Sequence, residues 1–192
     1  VFAVPNGERF KPEYSTLTPE RLRDQHLSGA GCLGYYVMRK DNTVWTSAVD
    51  FDNKPHDPDP AWRTKTIAVA DFLGEHGLSP LIEISQSGEA AHVDLFFEQP
   101  VPAIVVREFW KAVSQTLRIK FKEIYPRQDA LDEKTPLGNL LRFPLWNKSR
   151  FVDREWRTLD PLEALDGIHR ISPERLQAVT QETRPSTAPV PT

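Results

Sequence analysis

The sequence predicts an α+β fold with a largely antiparallel sheet and helices packed on it. Several short segments with strand character are separated by turns, which is typical of hairpins. A few helical segments stand between them, and one of these, residues 106–117, repeats its apolar side chains at helical spacing. Hairpins mixed with a few helices indicate an α+β architecture. At 192 residues the chain is long enough for one domain with a substantial core.

The first half of the chain contains two predicted helices and a predicted hairpin. The run Thr18-Pro19-Glu20 has the chemistry of a helix start, and this helix should reach about Leu27. Residues 35–38 and 44–52 have strand character and flank an Asp-Asn turn, so we expect them to pair as a hairpin. A second helix should cover residues 61–76 and end at Gly77.

The second half alternates in the same way. Residues 81–85 and 91–97 should be strands joined by the turn at residues 86–89, and the amphipathic helix follows them. The large apolar side chains of that helix belong to the core. Residues 119–125 and 139–143 complete the predicted strand set, and a last helix should begin near Ser172.

Composition and charge exclude several classes of protein. No stretch approaches the roughly 20 apolar residues of a membrane span, and no signal peptide is visible. Cys32 is the single cysteine, which excludes a disulfide framework or a cysteine-rich zinc site within the chain and fits the cytoplasm. We expect residues 1–180 to form the domain. Residues 181–192 have the composition of a linker, so we expect further domains in a longer polypeptide.

Asp50 and Asp52 are the strongest chemical signal in the sequence. They end the strand Ser47-Ala48-Val49-Asp50-Phe51-Asp52, and strand alternation puts both carboxylates on one face. Their Cα atoms should lie roughly 6.5–7 Å apart, which lets both reach shared cations. Two acids on one face repel each other unless a cation neutralises them, and carboxylate oxygens suit Mg²⁺ or Mn²⁺. An ordinary strand end would have the same pattern, so the pair by itself does not establish a metal site.

Two further residues stand out by their strand positions. His92 lies just inside a strand, on the same face as Asp94, after the turn that contains Ser87 and Gly88. Glu123 alternates with aromatic residues in Phe121-Lys122-Glu123-Ile124-Tyr125, where an acid needs a partner or an edge position. A structural histidine and a strand-end glutamate paired with a neighbouring base are the simpler interpretations.

Basic residues gather between positions 118 and 157 although the net charge of the chain is −3. They form two groups, Arg118, Lys120, Lys122 and Arg127, and then Arg142, Lys148, Arg150, Arg154 and Arg157. Such a run is often a solvated surface, and it is also the pattern that follows a nucleic-acid backbone.

Taken in order, these segments resemble the three motifs of archaeo-eukaryotic primase (primase-polymerase) catalytic domains. The motifs are an Asp-hydrophobic-acid pair, a small-x-His element and a later acid on a strand. The resemblance is greatest to the bacterial branch found in transposon-linked conflict systems and in CRISPR-associated primase-polymerases. It also includes three shorter segments, which are His26-Leu27-Ser28-Gly29, Gly34-Tyr35-Tyr36 and the stretch from Gly138 to Leu145. Ala90, Gln86 and Asp94 depart from the pattern of that branch.

The resemblance implies a fold, an activity and a set of site residues. The fold is a primase core, an RRM-like sheet that bears the metals, with a second αβ unit covering one side. The activity is template-directed nucleotidyl transfer by a two-metal mechanism, by a DNA primase, a DNA polymerase or both, with Mg²⁺ or Mn²⁺ as the cofactor. The partners are nucleoside triphosphates and a single-stranded or primed DNA template.

Each site residue then has an expected role. Asp50, Asp52 and Glu123 would be the catalytic metal ligands, with Asp129 as the alternative third acid. The nucleotide would be bound by Ser87, Gly88, His92 and Arg142. Two other functions use the same residues: a metal-dependent nuclease or phosphohydrolase, in which water is the nucleophile, and a non-catalytic nucleic-acid-binding module.

Overall fold

The computed structural model describes residues 1–183 and folds them into two antiparallel sheets and a layer of helices. The strands are β1 (Phe2–Asn6), β2 (Arg9–Glu13), β3 (Gly34–Tyr36), β4 (Thr43–Asp52), β5 (Leu81–Ile84), β6 (Ala90–Pro102), β7 (Glu123–Tyr125), β8 (Leu140–Arg142) and β9 (Arg150–Val152). The helices are α1 (Pro19–Arg21), which continues as a π-helix over Leu22–Leu27, α2 (Trp62–Glu75), α3 (Ala103–Leu117), α4 (Pro161–Asp166) and α5 (Pro173–Thr183). The predicted α+β class is confirmed.

The five-stranded sheet has the strand order β7-β4-β6-β5-β9, and the four-stranded sheet has the order β2-β1-β3-β8. Helices α2, α3 and α5 pack on one face of the five-stranded sheet. The inward residues of β4 and β6 are buried there, including Val49, Phe51, Val93 and Leu95. Strand alternation therefore leaves the opposite face of β4 and β6 free for polar side chains.

The amphipathic helix predicted from sequence is α3, and it anchors the edge strand β7. Val106, Phe109 and Trp110 on its inner face are fully buried. The indole Nε1 of Trp110 donates to Ser47 Oγ at 2.6 Å, and that hydroxyl donates to the carbonyl of Tyr125 at 2.6 Å. One chain of hydrogen bonds thus joins α3, β4 and β7 and fixes the position of Glu123 at the start of β7.

The predicted hairpin between residues 35–38 and 44–52 is wrong. Strand β3 pairs with β1 and β8 in the four-stranded sheet, while β4 belongs to the five-stranded sheet. The expected turn does form, because the N–H of Asn42 donates to the carbonyl of Arg39 at 3.0 Å, but it connects two sheets. Gly34 favours the pairing with β8, since a Cβ at this position would lie 2.7 Å from the carbonyl oxygen of Leu141.

The other segments differ from their predicted bounds in smaller ways. The strand predicted over residues 119–125 contains only Glu123–Tyr125, and β1, β2, β9 and α4 were not predicted. Helix α5 includes residues 181–183 of the predicted tail, and residues 184–192 lie outside the described part of the chain. Within residues 1–183, no helix combines the length and apolar character that crossing a membrane requires.

Candidate active site

One row of ionisable side chains crosses the polar face of the five-stranded sheet. Asp50 in β4 is the cross-strand partner of Glu123 in β7 and of His92 in β6. His92 is in turn opposite Glu83 in β5. Directly opposite residues of an antiparallel pair point to the same face, so all four side chains project together. Asp52, two residues beyond Asp50, joins them.

This row forms one wall of a pocket of about 440 Å³. The opposite wall comes from the four-stranded sheet and the loop after it, with Phe10, Leu140, Leu141, Arg142, Phe143, Trp146 and Ser149. The turn before β6 adds Ser85, Gln86 and Ser87, and the entrance also carries the cations of Lys54, Lys122 and Arg127. The pocket therefore has an acidic centre and a basic rim.

Each acid of the row already has a basic or hydroxyl partner. Asp52 pairs with Lys54, and Glu123 pairs with Arg127 at 3.0 Å and accepts a hydrogen bond from the Tyr125 hydroxyl. Asp50 lies 3.6 Å from Nε2 of His92. Burial raises the pKa of Asp50 to about 6, and the charges of Asp52 and Glu123 act in the same direction while His92 opposes them. Asp50 is therefore the acid of the row that holds a proton most readily, chiefly because it is buried.

The residues of this cluster fit a divalent cation by their chemistry. Asp50, Asp52 and Glu123 offer carboxylate oxygens, the ligands that Mg²⁺ and Mn²⁺ prefer, from neighbouring positions on one face. Within residues 1–183, no three acidic, histidine or cysteine side chains stand ready as a coordination sphere. Convergence on a cation would require the carboxylates of Asp52 and Glu123 to turn from Lys54 and Arg127.

Glu83 and Ser149 fix the orientation of His92. The Nδ1 atom of His92 lies 3.2 Å from Oε2 of Glu83, and the Ser149 hydroxyl donates to Oε1 of the same carboxylate. Burial alone would lower the pKa of His92, but the hydrogen bond and charge of Glu83, with Asp94 and Asp50, raise it to about 9. The imidazolium therefore turns Nε2 toward the acidic row.

Glu83 is the residue that sequence reasoning missed. Its strand, Leu81–Ile84, is buried along its whole length, and Glu83 is only 7% exposed. A carboxylate in a short apolar strand costs free energy unless it has partners, so this position did carry a signal. The partners themselves, His92 and Ser149, are 9 and 66 residues away in sequence.

The predicted phosphate-binding residues do not all reach the pocket. Ser87 and Arg142 line it, and the Arg142 guanidinium also lies over the ring of Phe10, 5.5 Å from its centroid. Gly88 is not among the described residues that line this pocket. It forms the turn with φ of +78°, and its N–H donates to the Ser85 carbonyl at 3.0 Å. Its role is therefore to shape the turn that presents Ser87.

Asp129, the alternative third acid, points elsewhere. Its carboxylate accepts from Nε of Arg107 at 2.6 Å in an exposed loop, and it does not line the pocket. Several predicted backbone-binding cations are also committed to acids. Arg154 pairs with Asp71 and Arg157 with Asp153, both at 2.6 Å.

His26 supports the pocket from behind. It is 1% exposed, its Nδ1 accepts from the N–H of Leu33 at 2.9 Å, and its Nε2 bonds the carbonyl of Pro144 at 2.8 Å. This bond holds the loop that carries Trp146 and Ser149. His26 is therefore a structural residue that positions one wall of the pocket.

Comparison with known protein families identifies the family to which this chain belongs. Residues 5–179 match the model of the archaeo-eukaryotic primase domain of TOTE conflict systems. The chain belongs to this family. The match spans both sheets and every residue of the acidic row, and it confirms the resemblance found in the sequence motifs. The general chemistry of primase-polymerase domains is nucleotidyl transfer.

Among solved structures, the chain is similar to the archaeo-eukaryotic primase domain of the cyanophage S-2L primase-polymerase. The two share 15% sequence identity, the alignment covers 88% of each chain, and the TM-score is 0.44. A search of curated proteins finds no match.

Proposed function

We propose that the domain catalyses template-directed nucleotidyl transfer on DNA, as a primase, a polymerase or both, by a two-metal mechanism. The single observation that carries the proposal is the row Glu123, Asp50 and His92 across three neighbouring strands, with Asp52 beside it. One pocket thus contains carboxylates that could bind metal cations and a cationic histidine that could bind phosphates. Family membership supports the same chemistry.

In this proposal the acids and the bases of the pocket have separate tasks. Asp50, Asp52 and Glu123 hold Mg²⁺ or Mn²⁺. His92, kept cationic and oriented by Glu83, donates from Nε2 to the triphosphate of the incoming nucleotide. Arg142 grips phosphate oxygens from the opposite wall, and Ser87 donates its hydroxyl.

The reaction joins a primer end to an incoming nucleotide. The 3′-hydroxyl gives up its proton to solvent water and its oxygen attacks the α-phosphorus. The bond from that phosphorus to the oxygen that bridges to the β-phosphate breaks, and pyrophosphate leaves with that oxygen. When bound, the two cations lower the pKa of the attacking hydroxyl and neutralise the leaving group. The imidazolium of His92 and the guanidinium of Arg142 stabilise the charge that develops on the phosphates.

The surroundings of the pocket support a nucleic-acid template as the partner. Lys122 and Arg127 lie at its rim, where they would exchange their ion pairs with Asp57 and Glu123 for phosphates, and Lys148 packs next to the turn at Gly88. These cations would contact template phosphates, so binding should weaken steeply with added salt. The buried free thiol of Cys32 fits a reducing cytoplasm. As a separate point, we propose that further domains of a longer polypeptide accompany this one.

Product analysis tests the proposed activity. The protein is incubated with Mn²⁺ or Mg²⁺, labelled nucleoside triphosphates, and primed or unprimed single-stranded DNA, with Asp52→Ala as the matched control. Extended or newly made strands that are lost in the control support the proposal. Release of phosphate or shortened strands without extension would instead indicate the nuclease or phosphohydrolase alternative. DNA binding without any metal-dependent product would indicate a non-catalytic module.

A further inference from the structure

A second cavity lies on the same face of the five-stranded sheet, beyond His92. Its volume is about 600 Å³, which is within the size range of small-molecule sites. Five aromatic side chains contribute to its walls: Tyr35, Trp45, Phe96, Phe143 and Phe151. Trp45 and Leu165 also stand at the surface, with 42% and 43% of their areas exposed. Planar apolar walls of this kind favour a flat ring system.

Asp94 is the feature of this cavity that needs an explanation. It lies two residues after His92 on the same strand face and is only 8% exposed. Within the described residues 1–183, no hydrogen bond or ion pair reaches its carboxylate, although it contributes to the charge around His92. Among the described residues, the one side-chain oxygen that is fully buried without a partner belongs to Asn139, so the oxygens of Asp94 stay open to the cavity, where a ligand can supply the donors that the protein does not. The two oxygens of Asp94 therefore point to a ligand that brings donors.

The chemistry of the walls narrows that ligand. The two oxygens of a carboxylate accept side by side, so they match a planar edge with two adjacent N–H donors. Among the common nucleobases only guanine has such an edge, in its N1–H and 2-amino groups. Arg142 and Arg170 line the same cavity and provide cations for a phosphate.

We propose that this cavity binds an unpaired guanine that carries a phosphate, with its N1–H and 2-amino groups donating to Asp94 and its ring between the aromatic walls. The site is distinct from the acidic row, because Asp50, Asp52 and Glu123 do not line the cavity. His92 and Arg142 border both spaces, so a bound guanine would lie directly beside the proposed catalytic pocket.

Calorimetric titration tests this site without relying on catalysis. The full chain is titrated in EDTA with the monophosphates of guanosine, adenosine, cytidine and uridine, and with short single-stranded oligonucleotides that contain or lack guanine. Guanosine monophosphate should bind at least tenfold more tightly than the other three, because a site built for two donors rejects bases that lack them. If guanine binds only as part of an oligonucleotide, the ligand is a guanine within a nucleic-acid strand and not a free nucleotide. Equal affinity for all four bases, in both forms, would overturn the proposal.

A change of base preference gives the sharper test. Asp94→Asn replaces one acceptor by a donor. The variant should therefore bind guanosine monophosphate at least tenfold more weakly. It should bind xanthosine monophosphate more tightly than the unchanged protein does, because the edge of xanthine offers one donor and one acceptor. Asp52→Ala is the matched control and should keep guanine binding while losing nucleotide incorporation. Asp94→Asn should melt at the same temperature or higher, because it removes an unpartnered charge. A large drop in melting temperature, or unchanged guanine affinity, would contradict the assignment of Asp94.

Discussion

The polar face of the five-stranded sheet has two regions, the acidic row and the cavity at Asp94, and the carboxylates in them have opposite surroundings. In the acidic row, Asp50, Asp52 and Glu123 each have a basic partner and open to a polar pocket. Beyond His92, Asp94 is buried among aromatic walls, with no hydrogen bond or ion pair from residues 1–183 and only the charge of His92 favouring its ionised form. The first arrangement suits the proposed cations, and the second suits the proposed guanine, which brings its own donors. The difference teaches that the burial and partners of an acid, and not its strand face alone, decide which ligand chemistry it fits.

The largest expected effect separates the two regions directly. Asp50→Ala or Asp52→Ala should reduce nucleotide incorporation to background, because each removes a proposed metal ligand, while guanine binding beyond His92 is kept. Primer extension with Mg²⁺ measures the first property and titration in EDTA the second. The fold should remain intact, since the change relieves repulsion in the row. Near-normal incorporation by Asp52→Ala would make the two-metal assignment wrong.

The next effect concerns the residue that joins the two regions. His92→Ala should weaken nucleotide affinity while primer-template binding persists, and Glu83→Gln should have the same direction with a smaller size. In metal-site enzymes, loss of the residue that orients a ligand lowers metal affinity or activity about 10–100-fold. We expect kcat/KM for nucleotide incorporation to fall by a similar factor in Glu83→Gln.

The pH dependence distinguishes positioning by Glu83 from a structural role. The pKa of His92 is raised to about 9, so the imidazolium is kept below that pH and lost above it. In Glu83→Gln the pKa of His92 should fall, and nucleotide binding should therefore decline at a lower pH than in the unchanged protein. Identical pH profiles with a lowered melting temperature would indicate that Glu83 only supports the fold.

Arg142 tests the wall opposite the acidic row. Arg142→Lys keeps the charge but loses the planar fork that contacts two oxygens at once. Hydrogen bonds to charged groups contribute about 1.5–3 kcal/mol, so loss of one should weaken nucleoside triphosphate binding about tenfold or more. Titration with a non-hydrolysable triphosphate measures this. Unchanged affinity would leave Arg142 as an ordinary surface cation.

The smallest effect is on stability and probes the burial of Asp50, to which the repulsion from Asp52 and Glu123 adds. The pKa of Asp50 is raised from its ordinary 3.8 to about 6, so the unfolded chain loses its proton first and stability falls as the pH rises between these values. Asp50→Asn should therefore raise the free energy of unfolding by about 1–3 kcal/mol at pH 7 and change it little at pH 4. Urea unfolding at both pH values measures the difference.

Asp57→Asn is the control for this stability prediction. Asp57 lies in the loop after β4, and its hydrogen bond to Lys122 lowers its pKa, so removal of its charge should not stabilise the protein. Equal behaviour of Asp50→Asn and Asp57→Asn would show that the charge of Asp50 does not destabilise the folded protein.

Local pattern was sufficient for much of the fold and for part of the site. The spacing of Val106, Phe109 and Trp110 predicted α3, and turn residues predicted the pairing of β5 with β6. Alternation along β4 placed Asp50 and Asp52 on the face opposite Val49 and did not depend on any other segment. These predictions succeed because they depend on contacts between residues that are close in sequence.

The bounds of β3, β7 and β8, their pairing and the existence of β9 could not be predicted in this way, for the opposite reason. Strands β3, β7, β8 and β9 have three residues each, too few for a period to appear. The pairing of β3 with β8 joins segments about 100 residues apart, and a hairpin with β4 was equally compatible with the local sequence.

By itself, the sequence determined the class of the fold, the main helices and the placement of Asp50 and Asp52 on one face. Only the tertiary structure decided that Glu123 stands opposite Asp50, that Glu83 orients His92, and that Arg142 faces them from a separate sheet. Strand register is set by hydrogen bonds between distant segments, and a slip of one residue would turn every side chain of a strand to the other face. The acidic row and the isolated Asp94 are therefore products of register, which no single segment encodes.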